Sequence, residues 1–128
     1  MYSRLIVSDR LWYRNGKKHR IRLLPAVDYG DGEVEYWVNG FNYTLENGVL
    51  FLNSGSVARV PKVIYKNGTR EWHRKNGLGT ELHRRDGPAV VYGNGDLECW
   101  RSGKRHGLTI ISGKSYWFER GEFVKCIV

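Results

Sequence analysis

One stretch of this chain is written more than once. Residues 25–40, PAVDYGDGEVEYWVNG, align without a gap on residues 88–103, PAVVYGNGDLECWRSG, and nine of the sixteen positions coincide. A third copy, PKVIYKNGTREWHRKNG, starts at Pro61 and, read from Pro to Trp, is one residue shorter. All three prolines of the chain therefore hold the same place in the unit. The stretch ahead of the proline repeats as well: Trp12 to Arg20 resembles Trp100 to His106, and Trp117 to Gly121 forms a last half-unit. A unit this short cannot enclose its own apolar face. It becomes stable by stacking on copies of itself, so the chain is a tandem-repeat protein before it is anything else.

The turns say what kind of repeat. Six Asn-Gly pairs occur, at 15–16, 39–40, 47–48, 67–68, 76–77 and 94–95, and eleven of the sixteen glycines follow Asn, Asp or Ser. A type I′ hairpin turn needs positive φ at both central residues, and Asn-Gly supplies it at the least steric cost. Between the turns lie short runs rich in Val, Ile, Tyr and Trp, the spacing of a hairpin meander. No segment carries a helical period. The expected fold is all-β: an antiparallel meander of tandem β-hairpin repeats in a single domain, 1–128. Its repeat units lie near 10–40, 61–77, 79–107 and 108–127, with an inserted hairpin at 41–60. Strands are expected near 4–7, 10–14, 25–29, 33–38, 41–45, 49–53, 61–66, 69–74, 88–92, 96–101, 108–112, 115–119 and 122–127.

Alternation assigns faces to these strands. Val34, Tyr36 and Val38 share one face, with Glu33, Glu35 and Trp37 on the other; Leu97 and Cys99 share a face in the second copy. The apolar set is expected inward. Trp37, Trp72 and Trp100 are read as equivalent, mostly buried, and stacked in a ladder against the next unit's Pro-Ala-Val strand.

Composition narrows the function. With 128 residues, 41% hydrophobic, the chain can bury a core without staples. Its two cysteines form no disulfide framework and no zinc spacing, and no apolar run approaches the ~18–20 residues of a membrane span. With no signal-peptide pattern at the start, a cytoplasmic location is expected. The net charge is +8 and unevenly spread. Residues 1–22 carry +6, residues 23–58 carry −5 with no Lys or Arg at all, and residues 59–128 carry +7. Such a field attracts acidic partners: a nucleic acid or an acidic protein surface.

The pattern W-x-x-N-G-x-x-H-R-x-D-G-P-A-V…N-G…W resembles a tandem repeat found in many tailed-phage and giant-virus proteins. It is also loosely similar to the MORN class of β-hairpin repeats. The best-matching positions run from Trp12 to Arg20, from Pro25 to Gly40, and from His83 through Pro88 to His106, about two-thirds of the chain. The match is degenerate where Arg22-Leu23-Leu24 replaces Asp-Gly before Pro25. The resemblance implies an extended or curled antiparallel sheet and a viral origin. It brings no catalytic residues with it. Small phage proteins of this kind often act on host machinery, host defence included.

Two basic clusters are the candidate partner-binding residues: Arg14, Lys17, Lys18, Arg20 and Arg22 on the first hairpin, and Arg70, Arg74, Lys75, Arg84 and Arg85 on the 70–85 hairpin. Stacked units would bring their tips to one edge, as a stripe able to grip phosphates or an acidic groove. His19, His83 and His106 recur after a turn and are assigned a structural role, bonding a neighbouring turn such as the Asp-Gly before Pro. The competing enzyme reading pairs Glu71 with His73 and Glu81 with His83, with arginines around them, as a metal-independent ribonuclease would. The favoured expectation is a non-enzymatic viral accessory protein with no cofactor and no metal. Its basic edge would occlude an acidic or nucleic-acid-binding surface of a host protein, such as a CRISPR-Cas nuclease complex. Direct nucleic-acid or nucleotide binding is the alternative, with weak non-specific nucleic-acid binding compatible with either. No membrane partner is expected, and sheet edges offer a route to a homodimer.

Overall fold

A computed structural model of the chain describes residues 10–18, 20, 24–55 and 57–127. The expected strand 4–7, His19 and Arg22 lie outside them. The protein is all-β and antiparallel, with its sheet strands in meander order, and none of the described residues is helical. The chain divides into two compact units, 1–54 and 55–128.

The first unit contains β1 (Arg10–Leu11), β2 (Tyr13–Arg14), β3 (Lys17–Lys18), β4 (Val27–Asp28), β5 (Val34–Val38), β6 (Phe41–Glu46) and β7 (Val49–Leu52). β1 pairs with β4, β4 with β5, β5 with β6 and β6 with β7. The Asn47-Gly48 turn joins β6 to β7, so the insertion at 41–60 does begin with a hairpin. β2 and β3 pair only with each other and leave the sheet as a separate hairpin. The expected strand 10–14 therefore breaks at Trp12. There the chain turns off the ladder, and the sheet closes behind it by pairing β1 directly with β4.

The second unit contains β8 (Val63–Tyr65), β9 (Arg70–Glu71), β10 (His73–Asn76), β11 (Gly79–Leu82), β12 (Val90–Val91), β13 (Leu97–Arg101), β14 (Lys104–Ile111), β15 (Lys114–Glu119) and β16 (Glu122–Ile127). It repeats the device. β9 pairs with β12, and the β10–β11 hairpin stands apart, so the expected strand 69–74 breaks at Trp72. One row of side chains runs across this sheet in register: Val63, Glu71, Val90, Glu98, Thr109, Tyr116, Cys126. Val63, Val90, Glu98 and Thr109 in that row are buried.

The burial corrects the face assignment made from alternation. Val34 is exposed, while Glu98 is buried and Leu97 and Cys99 are only half-buried. Alternation tells which side chains share a face, not which face turns inward. The carboxylates go inward because aromatic donors meet them. Tyr29 Oη donates to Glu35 Oε2 (2.7 Å) and Trp37 Nε1 to Glu35 Oε1 (2.9 Å). Tyr92 Oη donates to Glu98 Oε2 (2.8 Å) and Trp100 Nε1 to Glu98 Oε1 (2.8 Å), with Arg105 at 3.2 Å completing the set. A buried carboxylate supplied with three donors loses little by leaving water.

The same bonds revise the alignment of the middle copy. Tyr65 Oη donates to Glu71 Oε2 (3.0 Å), so Pro, Tyr and Glu keep identical spacing in all three copies. The residue two after the glutamate is Trp37, His73 or Trp100, and His73 Nε2 lies 3.0 Å from Glu71 Oε1. Trp72 is thus not the counterpart of Trp37 and Trp100. It is the counterpart of Trp12: each donates its backbone N–H to the alanine, or its counterpart, after a repeat proline, Trp12 to Ala26 and Trp72 to Ala89. Trp72 is buried, whereas Trp12, Trp37 and Trp100 are half-buried. Only one of the three tryptophans expected in the core is there.

The turns also fall into classes. Asn15, Asn39, Asn47, Ser102, Ser112 and Arg120 all have φ near +50° and each precedes a glycine of positive φ, the type I′ pattern. At Asn67-Gly68 and Asn94-Gly95 only the glycine is left-handed, and the asparagine side chain accepts the N–H of Thr69 or Asp96. One glycine is needed for space alone. A Cβ on Gly93 would sit 2.0 Å from the carbonyl oxygen of Asn67.

Candidate binding surface

The two basic clusters map onto the two hairpins that leave the sheet, one in each unit. In each case the chain passes a tryptophan, makes a hairpin, and returns through an arginine to a proline. The returning arginine lies flat on the tryptophan: the guanidinium carbon of Arg20 is 3.9 Å from the Trp12 ring centre, and that of Arg84 is 3.8 Å from Trp72. Arg20 also donates to the Pro25 carbonyl (3.3 Å) and Arg84 to that of Pro88 (3.2 Å). Stacking plus a fixed hydrogen bond clasps the hairpin base to the sheet. Burial, with Arg70 nearby, pulls the Arg84 pKa down. Arg20 and Arg84, both expected to meet a partner, are half-buried and committed to this clasp.

Lys18 is also occupied. Its ammonium lies 4.4 Å from the Trp37 ring centre, and burial lowers its pKa against the pull of Glu35. The cations presented to solvent are Arg14 and Lys17 on the first hairpin, and Arg70, Arg74, Lys75 and Arg85 on or beside the second. Arg74 remains exposed while its Nε donates to Glu81 (2.8 Å). At the tip of the second hairpin Gly77 has φ +61° and Leu78 is fully exposed. Charge counting missed Leu78, although an apolar residue between two glycines, Gly77-Leu78-Gly79, is a sequence signal that could have found it. It also missed the exposed Arg101, one strand away.

The histidines of the repeat bond the next turn along. Ser102 donates its N–H to His83 Nδ1 (2.9 Å) and Arg120 its N–H to His106 Nδ1 (3.4 Å). The turn held is the following type I′ turn rather than the Asp-Gly before proline. An imidazole that accepts at Nδ1 must be neutral with its proton on Nε2. Burial lowers the His83 pKa, as do the charges of Arg74, Arg101 and Arg85, with Glu81 opposing.

The two Glu–His pairs do not converge. Register sets His73 opposite Leu82 and Arg74 opposite Glu81, so His73 and Glu81 occupy opposite faces of the hairpin. His73 uses both ring nitrogens, on Glu71 and on Thr80 Oγ1 (2.8 Å). The bonds from His73 and then Tyr65 hold Glu71 below the ordinary carboxylate range, against the burial that would raise it. Glu81 is held by Arg74 and Asn76. Among the described residues no three His, Cys, Asp or Glu side chains gather as a metal site would require, and no helix is long and apolar enough to cross a membrane.

No protein-family model, no curated protein and no solved structure matches this chain.

Proposed function

We infer that the protein is a non-enzymatic binding module, a viral accessory protein that engages an acidic surface of a host protein through its projecting hairpins. The observation that carries this reading is the β10–β11 hairpin. It leaves the sheet on a Trp72–Arg84 clasp, exposes Arg74 and Lys75 along its first arm, and places Leu78 at its tip in full contact with solvent. An apolar anchor ringed by cations fits a pocket with an apolar floor and a carboxylate rim. The anchor supplies affinity by desolvation, and the cations supply approach rate and orientation. The β2–β3 hairpin offers Arg14 and Lys17 in the same manner.

The test is affinity capture from host lysate with and without nuclease treatment, followed by titration of the captured protein across a salt series. Leu78→Asp and the double change Arg74→Glu, Lys75→Glu should each abolish capture. The Leu78 effect should persist at high salt, because desolvation is not screened. Nucleic acid as the ligand gives another signature: log K falls against log salt by about 0.9 per phosphate on duplex DNA, and Leu78→Asp has little effect. That outcome would replace the protein partner with a nucleic acid.

A further inference from the structure

β16 is the outer strand of the second unit, paired on one side with β15 and with no strand on its other side among the described residues. All six of its residues are exposed, and three of them are large and apolar: Phe123 (56%), Val124 (47%) and Ile127 (41%). Phe123 packs edge-on against Phe118, with ring centres 5.9 Å apart, so it is held in place on the face it exposes. A bare, ordered, apolar edge invites another strand.

The usual protection of such an edge is a charge or a bulge, and this strand has both. Here they act together to the opposite effect. Register sets Lys125 opposite Trp117, Phe123 opposite Phe118 and Glu122 opposite Glu119, which leaves one extra residue between Phe123 and Lys125. Trp117 and Glu119 are two apart on β15 and share a face. Glu122 and Lys125 therefore share that face too, although residues three apart on a regular strand would oppose each other. Neither forms an ion pair with another described residue.

Two copies of one strand, paired edge to edge, are related by a two-fold axis perpendicular to the sheet. The axis keeps every side chain on its own face. Paired residues must then come from one face, and Glu122 with Lys125 meets that condition only because of the bulge. We propose that β16 pairs antiparallel with β16 of a second copy of this chain, Glu122 opposite Lys125 and Lys125 opposite Glu122, in a symmetric dimer. Two opposite-charge cross-strand pairs bracket Phe123 and Val124, which cover each other across the axis. The inference stands on β16 alone and is independent of what the basic hairpins bind.

The experiment is sedimentation velocity over a concentration series with the whole chain and three charge variants. The expected results are a concentration-dependent dimer for the unaltered chain and a dissociation constant raised about tenfold or more by E122K or by K125E, since each sets two like-charge pairs. The swap E122K/K125E should restore the dimer. Mixing the E122K chain with the K125E chain should give a heterodimer, because one strand then presents two lysines and the other two glutamates. Far-ultraviolet circular dichroism checks that each variant folds, and the mixing experiment separates lost pairing from lost structure. A chain that stays monomeric to several hundred micromolar, a dimer indifferent to both single reversals, or a mixture that stays monomeric would overturn the proposal.

Discussion

Three carboxylates stand at the same place in three copies of one unit, and the middle one lives differently from the others. Glu35 and Glu98 are each braced by a tyrosine hydroxyl and a tryptophan indole. Glu71 is braced by a tyrosine and a histidine. The difference is a slip of one residue. In the middle copy the tryptophan stands one place nearer the glutamate, at Trp72, where it enters the core and receives Arg84 on its face. His73 inherits the vacated position, and the chain departs into the projecting hairpin. A single-residue offset thus exchanges a non-titrating indole for an imidazole on the carboxylate and a half-exposed ring for a buried one. It also turns a strand that stays in the ladder into one that leaves it.

The largest expected effect tests the burial half of that contrast. Trp72→Ala should lower the unfolding free energy by about 3–5 kcal/mol, as for a large buried aromatic, and Trp37→Ala and Trp100→Ala by about 1–2 kcal/mol each. Urea unfolding measures all three. Equal losses would erase the distinction between the two classes of tryptophan.

Next comes the brace itself. Glu98→Ala leaves Tyr92, Trp100 and Arg105 without their shared acceptor in a buried site, at a cost of about 2–4 kcal/mol. Glu71→Ala, half-buried, should cost about half as much. In Glu98→Ala the Tyr92 hydroxyl, pushed up to about 12 by burial and then by its bond to Glu98, should titrate nearer its ordinary value, a change that ultraviolet titration reads. A Tyr92 titration unmoved by the substitution would remove Glu98 from its environment.

The acid limb of the stability curve separates the histidine-bearing region from the rest. Lowering the His83 pKa means that folding disfavours its protonated form. That contribution is fully present above the unfolded value of about 6.5 and is lost as pH falls through the lowered folded value. Glu71 adds a second loss at lower pH. Its lowered carboxyl pKa stabilises the fold above the ordinary carboxylate range and ceases to do so as pH drops through the folded value. His83→Gln keeps an acceptor for the Ser102 N–H but cannot titrate, so its midpoint temperature should stay flat where the unaltered chain declines below pH 6.5. Identical profiles would mean that the turn at Ser102 does not depend on a neutral imidazole. The smallest effect lies in the last type I′ turn, where Arg120 holds φ +51° at a place that Asn39 holds in the first unit. Arg120→Asn should add about 0.5–1 kcal/mol by relieving a left-handed conformation that suits asparagine better.

The hairpins and their turns were legible because Asn-Gly and Ser-Gly act over two residues, and the insertion at 41–60 could be read off the same way. What was hidden rests on contacts between distant residues. Two arms, β3 and β11, are polar and short, and nothing in Lys17-Lys18 or Gly79 to Leu82 marks them as strands; they exist because Trp12 and Trp72 carry the chain off the ladder. The inward glutamates read as solvent-facing because their donors, Tyr29 and Tyr92, stand six residues away on another strand. Of the candidate surface, the clusters of cations were visible as charge, but charge does not reveal commitment. Arg20 and Arg84 read the same as Arg14 and Lys75 until the tryptophan rings beneath them are seen.

Because β9 bonds to β12 directly, the ten residues from His73 to Asn76 and on to Leu82 are not part of the ladder that they interrupt. Their counterpart in the first unit, Tyr13 to Lys18, does the same task with six. The length of this excursion is consequently a free variable of the architecture, bounded at its base by a tryptophan and an arginine and unconstrained at its tip. Lineages can lengthen, shorten or rewrite it without disturbing the frame, much as antibody loops vary on a constant sandwich. A protein engineer can use the same latitude, splicing a recognition peptide at Gly77-Leu78 and leaving Trp72, Arg84 and the Pro88 carbonyl to hold it.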